Sequence, residues 1–208
     1  MNSPVSPQAA AKELLRRRGA RKSMTGFCLA VNPDEPPAKH HKLLNECLDK
    51  VLTGEIPNLM VLMPPGSAKS TYASIRFPSY VMGRWDAEGV QKSVISASYG
   101  QDLASNFGRK VRNQVRTTEY QSIFPETRLS QDSQSKSEWE TAKGNNYKSV
   151  GVGAGITGRR GDLGLIDDPV KGRKDADSQV VRDSTWEWYK TDFTTRLKPG
   201  SPQVIILT

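Results

Sequence analysis

The sequence is short of cysteine, of long apolar runs and of acidic charge, and each shortage excludes something. The two cysteines, Cys28 and Cys47, match no metal-ligand spacing and make no disulfide framework. Free thiols in a reducing cytoplasm are the expectation. No apolar run approaches the ~20 residues of a membrane span. The first residues, MNSPVSPQAAAKELLRRRG, hold no apolar stretch of the kind a secretory signal needs. Hydrophobic residues make up 36% of the chain and mean hydropathy is −0.59, which points to a soluble protein. Asp and Glu number 22 against 30 Lys and Arg, a net charge of +8 that favours a polyanionic partner. What is there is 208 residues, enough for one α/β domain with its own core.

The positive surplus is uneven. Residues 1–25 carry Lys12, Arg16, Arg17, Arg18, Arg21 and Lys22 against Glu13 alone, so +5 of the +8 lies there. They are expected to form a flexible basic N-terminal arm, or a short helix over Gln8–Arg18, stopped by Gly19, that docks on a partner. Nucleic acid or an acidic protein patch is the functional reading, and a solvated tail is the plain one. Residues 26–208 are expected to be a single domain.

The informative stretch is Leu59 to Thr71, LMVLMPPGSAKST. Its apolar start reads as a buried parallel strand. Pro64 and Pro65 end the strand, because neither can donate to a sheet ladder. Gly66, Ser67 and Ala68 make a loop of small residues, and Lys69-Ser70-Thr71 opens a helix. Strand, small loop, Lys-Ser, helix is the order of a phosphate-binding P-loop. In such a loop, backbone N–H groups and the helix N-terminus face phosphate oxygens. Lys69 would reach the β/γ-phosphates and the Ser70 hydroxyl would sit on Mg²⁺. Pro65, Gly66, Ser67, Ala68, Lys69, Ser70 and Thr71 are thus candidate nucleotide contacts. Against the pattern G-x-x-x-x-G-K-[ST], Met63 and Ala68 replace the two glycines. A strand-to-helix turn with a stray lysine is the plain alternative.

Upstream, Lys39 to Leu52 reads as a helix ended by Gly54 and Pro57, with Leu43, Leu44, Cys47, Leu48, Val51 and Leu52 on its apolar face. His40 or His41, near its start, is a candidate contact to a base; surface histidines are the plainer reading of each. Downstream, the helix from Ser70 meets Pro78 and must end near Arg76 or kink. Val94–Ala97 reads as a strand. Gln101–Arg116 reads as a helix with Arg109, Arg112 and Arg116 opposite its apolar stripe. Glu138–Thr141 and Tyr147–Val150 read as a hairpin turned by Gly144-Asn145-Asn146.

The second informative stretch is Gly151 to Lys171, GVGAGITGRRGDLGLIDDPVK. An apolar strand ending in an acidic pair, downstream of a P-loop, has the form of a Walker B element. Asp167 would hold Mg²⁺, and Asp168 is where the water-activating carboxylate sits. Aspartate is shorter than the glutamate common there, so Asp175 and Asp177 stand as substitutes. Arg159 and Arg160 precede the strand and are candidates to stabilise charge on a transferred phosphoryl group. Ser178–Leu197 reads as a helix with Trp186, Tyr189, Phe193 and Leu197 on a core-facing stripe. Gln203–Thr208 reads as a last strand.

With these pieces in order, about residues 36–208 resemble the ATPase half of a tailed-bacteriophage terminase large subunit, the DNA-packaging motor. The pieces are His41 with Gly54-Glu55-Ile56; VLMPPGSAKS; VISASYGQDLASNFGRKVRN; Ile123-Phe124-Pro125; Trp139 with the GVGAGITGRRGDLGLIDDPVK block; and WEWYKTDFTTRLKPG running into VIILT. The resemblance implies an α/β P-loop NTPase fold of ASCE type, mostly parallel, with helices on both faces. It implies that the last strand inserts between the P-loop and Walker B strands, with Thr208 in a coupling motif. It implies ATP and Mg²⁺ as cofactors and hydrolysis by water attack on the γ-phosphate. Arg160, or else Arg159, would act in trans on a neighbour's ATP. The implied partners are double-stranded DNA, a portal protein, a terminase small subunit and copies of the chain in a ring, though the chain alone could be a monomer. The implied place is the cytoplasm of the infected bacterial host, with no membrane. Family members continue into an RNase H-like nuclease domain, so a fragment or split gene is expected here, without nuclease activity. Two other functions stay open: a helicase-type P-loop ATPase, and a nucleotide-binding assembly module with weak or no hydrolysis.

Overall fold

The computed structural model describes residues 6–158 and 160–208. A seven-stranded sheet organises the chain, in the order β1-β7-β6-β2-β5-β4-β3. Strands β1 (Asn58–Leu62), β7 (Gln203–Leu207), β6 (Leu163–Asp167), β2 (Ser93–Ser98) and β5 (Asn146–Gly151) run parallel. Strands β4 (Glu138–Thr141) and β3 (Leu129–Gln134) close one edge antiparallel. The last strand thus inserts between β1 and β6, as the resemblance implied.

Side-chain alternation sends successive residues to opposite faces. Val94, Leu163, Leu165, Val204 and Ile206 enter the larger core, with helices α2 (Met24–Val31), α3 (Lys39–Thr53) and α4 (Phe77–Glu88). Helix α5 (Gln101–Val115) covers β5 on that face through Phe107, Val111 and Val115. Ile95, Ala97, Ile166 and Gly164 face the other side, where Ile156, Trp188, Phe193 and Leu197 pack.

Strand β1 is an edge strand with Met60 and Leu62 exposed, not the buried strand its apolar run suggested, and helices Met24–Val31 and Thr118–Ile123 and strand β3 have no counterpart in the sequence reading. Three further elements differ from it, each for a local reason. The helix after the loop passes Pro78 without stopping, because a π-helical turn, Thr71–Arg76, precedes α4. A wider turn accommodates a residue that cannot donate its own N–H. A second π turn, Tyr189–Phe193, follows α8 (Gln179–Trp188) and shifts the helical phase. Of the two tryptophans of this helix, Trp188 is therefore the buried one, its Nε1–H donating to the Ala154 carbonyl at 2.9 Å, whereas Trp186 is 57% exposed. Finally, helix α1 (Pro7–Lys22) runs through Gly19. It packs on α2 so closely that a Cβ on Gly26 would lie 2.6 Å from the Gly19 carbonyl oxygen. A boundary after residue 25 would fall inside α2. Helix α6 (Thr118–Ile123) also touches α1, with Arg21 Nε donating to the Ile123 carbonyl at 2.5 Å.

Candidate nucleotide site

Parallel strands end together, so the C-terminal ends of β1, β7, β6 and β2 share one edge of the sheet. In open α/β sheets that edge is where ligands bind. The segment after β1 turns tightly, with Ser67 N–H donating to the Pro64 carbonyl at 3.3 Å. Gly66 has φ +77 and Ala68 φ +58. The left-handed region suits Gly66, but for alanine it costs about 1–2 kcal/mol. The amides of Gly66 and Ala68 donate to no acceptor among the described residues. A helix starts at Lys69, so its open N–H groups add to this set. Unpartnered amides at a helix start form an anion cradle. Lys69 is only 7% exposed and has no ion-pair partner among the described residues.

Asp167 ends β6 and is buried. Its Oδ2 accepts from Ser74 Oγ at 2.5 Å, and its Oδ1 has no partner among the described residues. Burial pushes this carboxyl above its ordinary value. The Ser74 hydrogen bond, the nearby Ser70 hydroxyl and the Lys69 charge pull it down, while Asp168 pushes it up further. Lys69, Ser70, Asp167 and Asp168 are therefore neighbours, although nearly a hundred residues separate the pairs. Ser74 is the neighbour of Asp167 that the sequence reading missed. Its signal was present: Ser70 and Ser74 are four apart on a helix, hence on one face.

Asp168 is half-buried with φ +46, so the chain turns sharply just after Asp167. Its carbonyl accepts from Tyr99 N–H at 3.1 Å, and its Oδ1 accepts from Thr208 Oγ1 at 3.2 Å. Asp168, Thr208, Leu62, Tyr99 and Arg173 border a cavity of about 600 Å³ at this edge. Asp175 and Asp177 lie on the short helix α7 (Gly172–Asp177), where Asp177 pairs with Arg173 at 3.5 Å. Another cavity, about 580 Å³ and apolar, lies beside Met60, Ile205 and Trp186 and touches neither Lys69 nor Asp167.

His41 reaches the loop itself. Its ring nitrogens meet the Ala38 N–H at 3.3 Å and the Ser67 carbonyl at 2.8 Å, which leaves neither open to a base. Arg160 is exposed at the opposite end of β6, seven residues before Asp167, roughly 20 Å away at strand rise. Arg159 lies outside the described residues.

A family model described as "Terminase large subunit, T4likevirus-type, N-terminal" matches residues 60–202, more than half of the chain. The chain belongs to that family. No curated protein matches it. The terminase match spans the loop, Ser74, both aspartates and both arginines, and it supports a role in viral DNA packaging. His41 and Thr208, which bracket the terminase site from either side, lie outside the matched residues.

Proposed function

We propose that this terminase domain is a Mg²⁺-dependent ATPase of ASCE P-loop type that drives double-stranded DNA into a procapsid. The observation that carries the reading is the meeting of the unpaired Lys69, Ser70 and the orphaned Asp167 Oδ1 beside a loop with free amides. That donor set fits a hydrated divalent cation with a polyphosphate: a hydroxyl and a carboxylate oxygen for the metal, N–H groups and an ammonium for the phosphates. Bound Mg²⁺ would neutralise phosphate charge. Ser70 and Asp167 would hold it, and Ser74 would orient Asp167 through its other oxygen. Lys69 and the loop amides would bind the phosphates. Asp168, turned by its left-handed backbone and steadied by Thr208, would orient the attacking water. Asp175 and Asp177, on a separate short helix, lack that adjacency to Asp167.

Arg160 lies too far along β6 to serve its own site, which favours action on a neighbouring subunit in a ring. The DNA contact is assigned to cationic surface. Leu14, Arg17, Arg18, Arg21 and Lys22 share one face of α1 and line a groove of about 550 Å³ with Gln121, Ser122 and Pro125. Arg18, Arg21 and Lys22 have no ion-pair partner among the described residues. Portal, small subunit and the host cytoplasm follow as the partners and place of a packaging motor.

The test is Mg²⁺-dependent ATP binding and hydrolysis by this chain, with Lys69→Ala and Asp167→Ala beside it. Binding that Lys69→Ala abolishes, with turnover lost in both variants, is expected. Absence of ATP binding by the wild type overturns the reading, and binding without turnover moves the chain to an assembly module.

A further inference from the structure

The contacts of His41 point away from the base and toward the loop. Its Nδ1 accepts from the Ala38 N–H, so the ring proton sits on Nε2 and donates to the Ser67 carbonyl at 2.8 Å. His40 Nε2 lies 2.9 Å from the same nitrogen and shares that proton as a second acceptor. The His41 ring stacks on Tyr72, centroids 4.1 Å apart and planes 19° apart. On the Tyr72 ring sits the Arg76 guanidinium, 4.7 Å from the centroid. Arg76 is 6% exposed, has no carboxylate partner among the described residues, and its Nη1 is unpaired. Its interaction with the Tyr72 ring is thus part of what makes a buried cation tolerable there. A column of three side chains runs from the core, through the π turn, to the loop.

Peptide geometry gives this column a consequence. The Ser67 carbonyl and the Ala68 N–H belong to one planar trans peptide and point in opposite directions. Holding the carbonyl against His41 therefore aims the Ala68 N–H away from α3. That amide has no acceptor among the described residues, and Ala68 stands in the costly left-handed region.

We propose that His41 is a positioning residue for the phosphate loop, holding the Ser67–Ala68 peptide so that its N–H is free to meet an anion. The proposal rests on the loop being a nucleotide site, and its test separates the two. His41→Phe keeps a ring to stack on Tyr72 and removes the donor. His41→Gln restores a donor at similar reach. Two quantities are measured: hydrogen exchange of the Ser67 and Tyr72 amides, which donate to the Pro64 and Ala68 carbonyls of the loop, in nucleotide-free protein, and the Kd for Mg²⁺-ATP. Loss of one hydrogen bond corresponds to about a tenfold change. In His41→Phe, exchange is expected to rise about tenfold and ATP to bind about tenfold more weakly, with thermal stability within about 2–4 °C of wild type. His41→Gln is expected to recover both to within about threefold. Wild-type exchange in His41→Phe overturns the proposal, as does failure of His41→Gln to recover it. If the wild type binds no ATP, the nucleotide reading falls while the exchange comparison still decides the role of His41.

Discussion

The two ends of β6 are built for opposite purposes. At its C-terminal end lie a buried carboxylate with one oxygen unpaired among the described residues, a buried lysine without an ion-pair partner among them, and two non-glycine residues with positive φ, Ala68 and Asp168. At its N-terminal end the groups are satisfied. Asp162 accepts from Ser93 N–H at 2.9 Å and pairs with Lys198 at 2.8 Å, and Ser201 Oγ donates to the Gly161 carbonyl at 3.0 Å. There, Gly161 and Gly164 admit Leu197, Ile95 and Phe193 closer than a Cβ would allow. One end stores unmet interactions that a ligand can satisfy; the other anchors the strand. Real proteins concentrate unmet and strained groups at functional sites in this way.

Arg160 is the residue that would break this division, being a functional candidate at the anchoring end. In an assembled ring, Arg160→Ala is expected to cut turnover by about 10³-fold while ATP affinity holds. Mixing it with Lys69→Ala subunits should restore turnover, since each supplies what the other lacks; no restoration would return Arg160 to a surface role. Lys69→Ala should lower turnover by about 10²–10³-fold or more, with little change in Tm. Gly164→Ala is the mirror image. Its Cβ would meet Phe193 and Leu197 at 3.0 and 2.9 Å, so thermal denaturation should show a loss of about 1–3 kcal/mol, with ATP affinity retained.

Two smaller effects sharpen the comparison. Asp167 has its carboxyl pushed above the ordinary value, chiefly by burial, so the folded state holds this proton more tightly than the unfolded state does. Stability then falls as pH rises from the ordinary value of 3.8 through the raised one. In metal-free protein at pH 7, Asp167→Asn should therefore raise Tm, by roughly 2–4 °C if about 1 kcal/mol is recovered. The gain should vanish below about pH 4, and Mg²⁺-ATP should stabilise only the wild type. Ala68→Gly should be the mildest change, a gain of about 0.5–1 kcal/mol in denaturant melts, because relief of left-handed alanine exceeds the added chain entropy. A loss there would mean that Ala68 is held without strain.

Much of this edge was legible residue by residue. The apolar run before Pro64 is a strand as read, but at the sheet edge with Met60 and Leu62 exposed rather than buried. The small loop, Lys69-Ser70 and the Leu163–Asp167 strand stand where local pattern placed them. So does the hairpin at Gly144, and so does the stop of α3 at Gly54, whose φ is +84. What misled was phase. Extrapolating a regular helical period assigned Trp186 to the core, and the π turn at Tyr189–Phe193 put Trp188 there instead. A one-residue widening of a turn leaves no composition signal, because packing imposes it.

The sequence by itself determined most of the strands and helices around the site and the residue types at their ends, though not α2, α6 or β3. Side-chain period and backbone chemistry act over a few residues and are written locally. Only the tertiary structure decided which ends meet. It set Ser74 on Asp167 across 93 positions and His41 on the Ser67 carbonyl across 26. It also put Arg160 at the far end of the strand that carries Asp167. Those pairings depend on strand order and helix packing, which are fixed by burial of two sheet faces together rather than by any one segment.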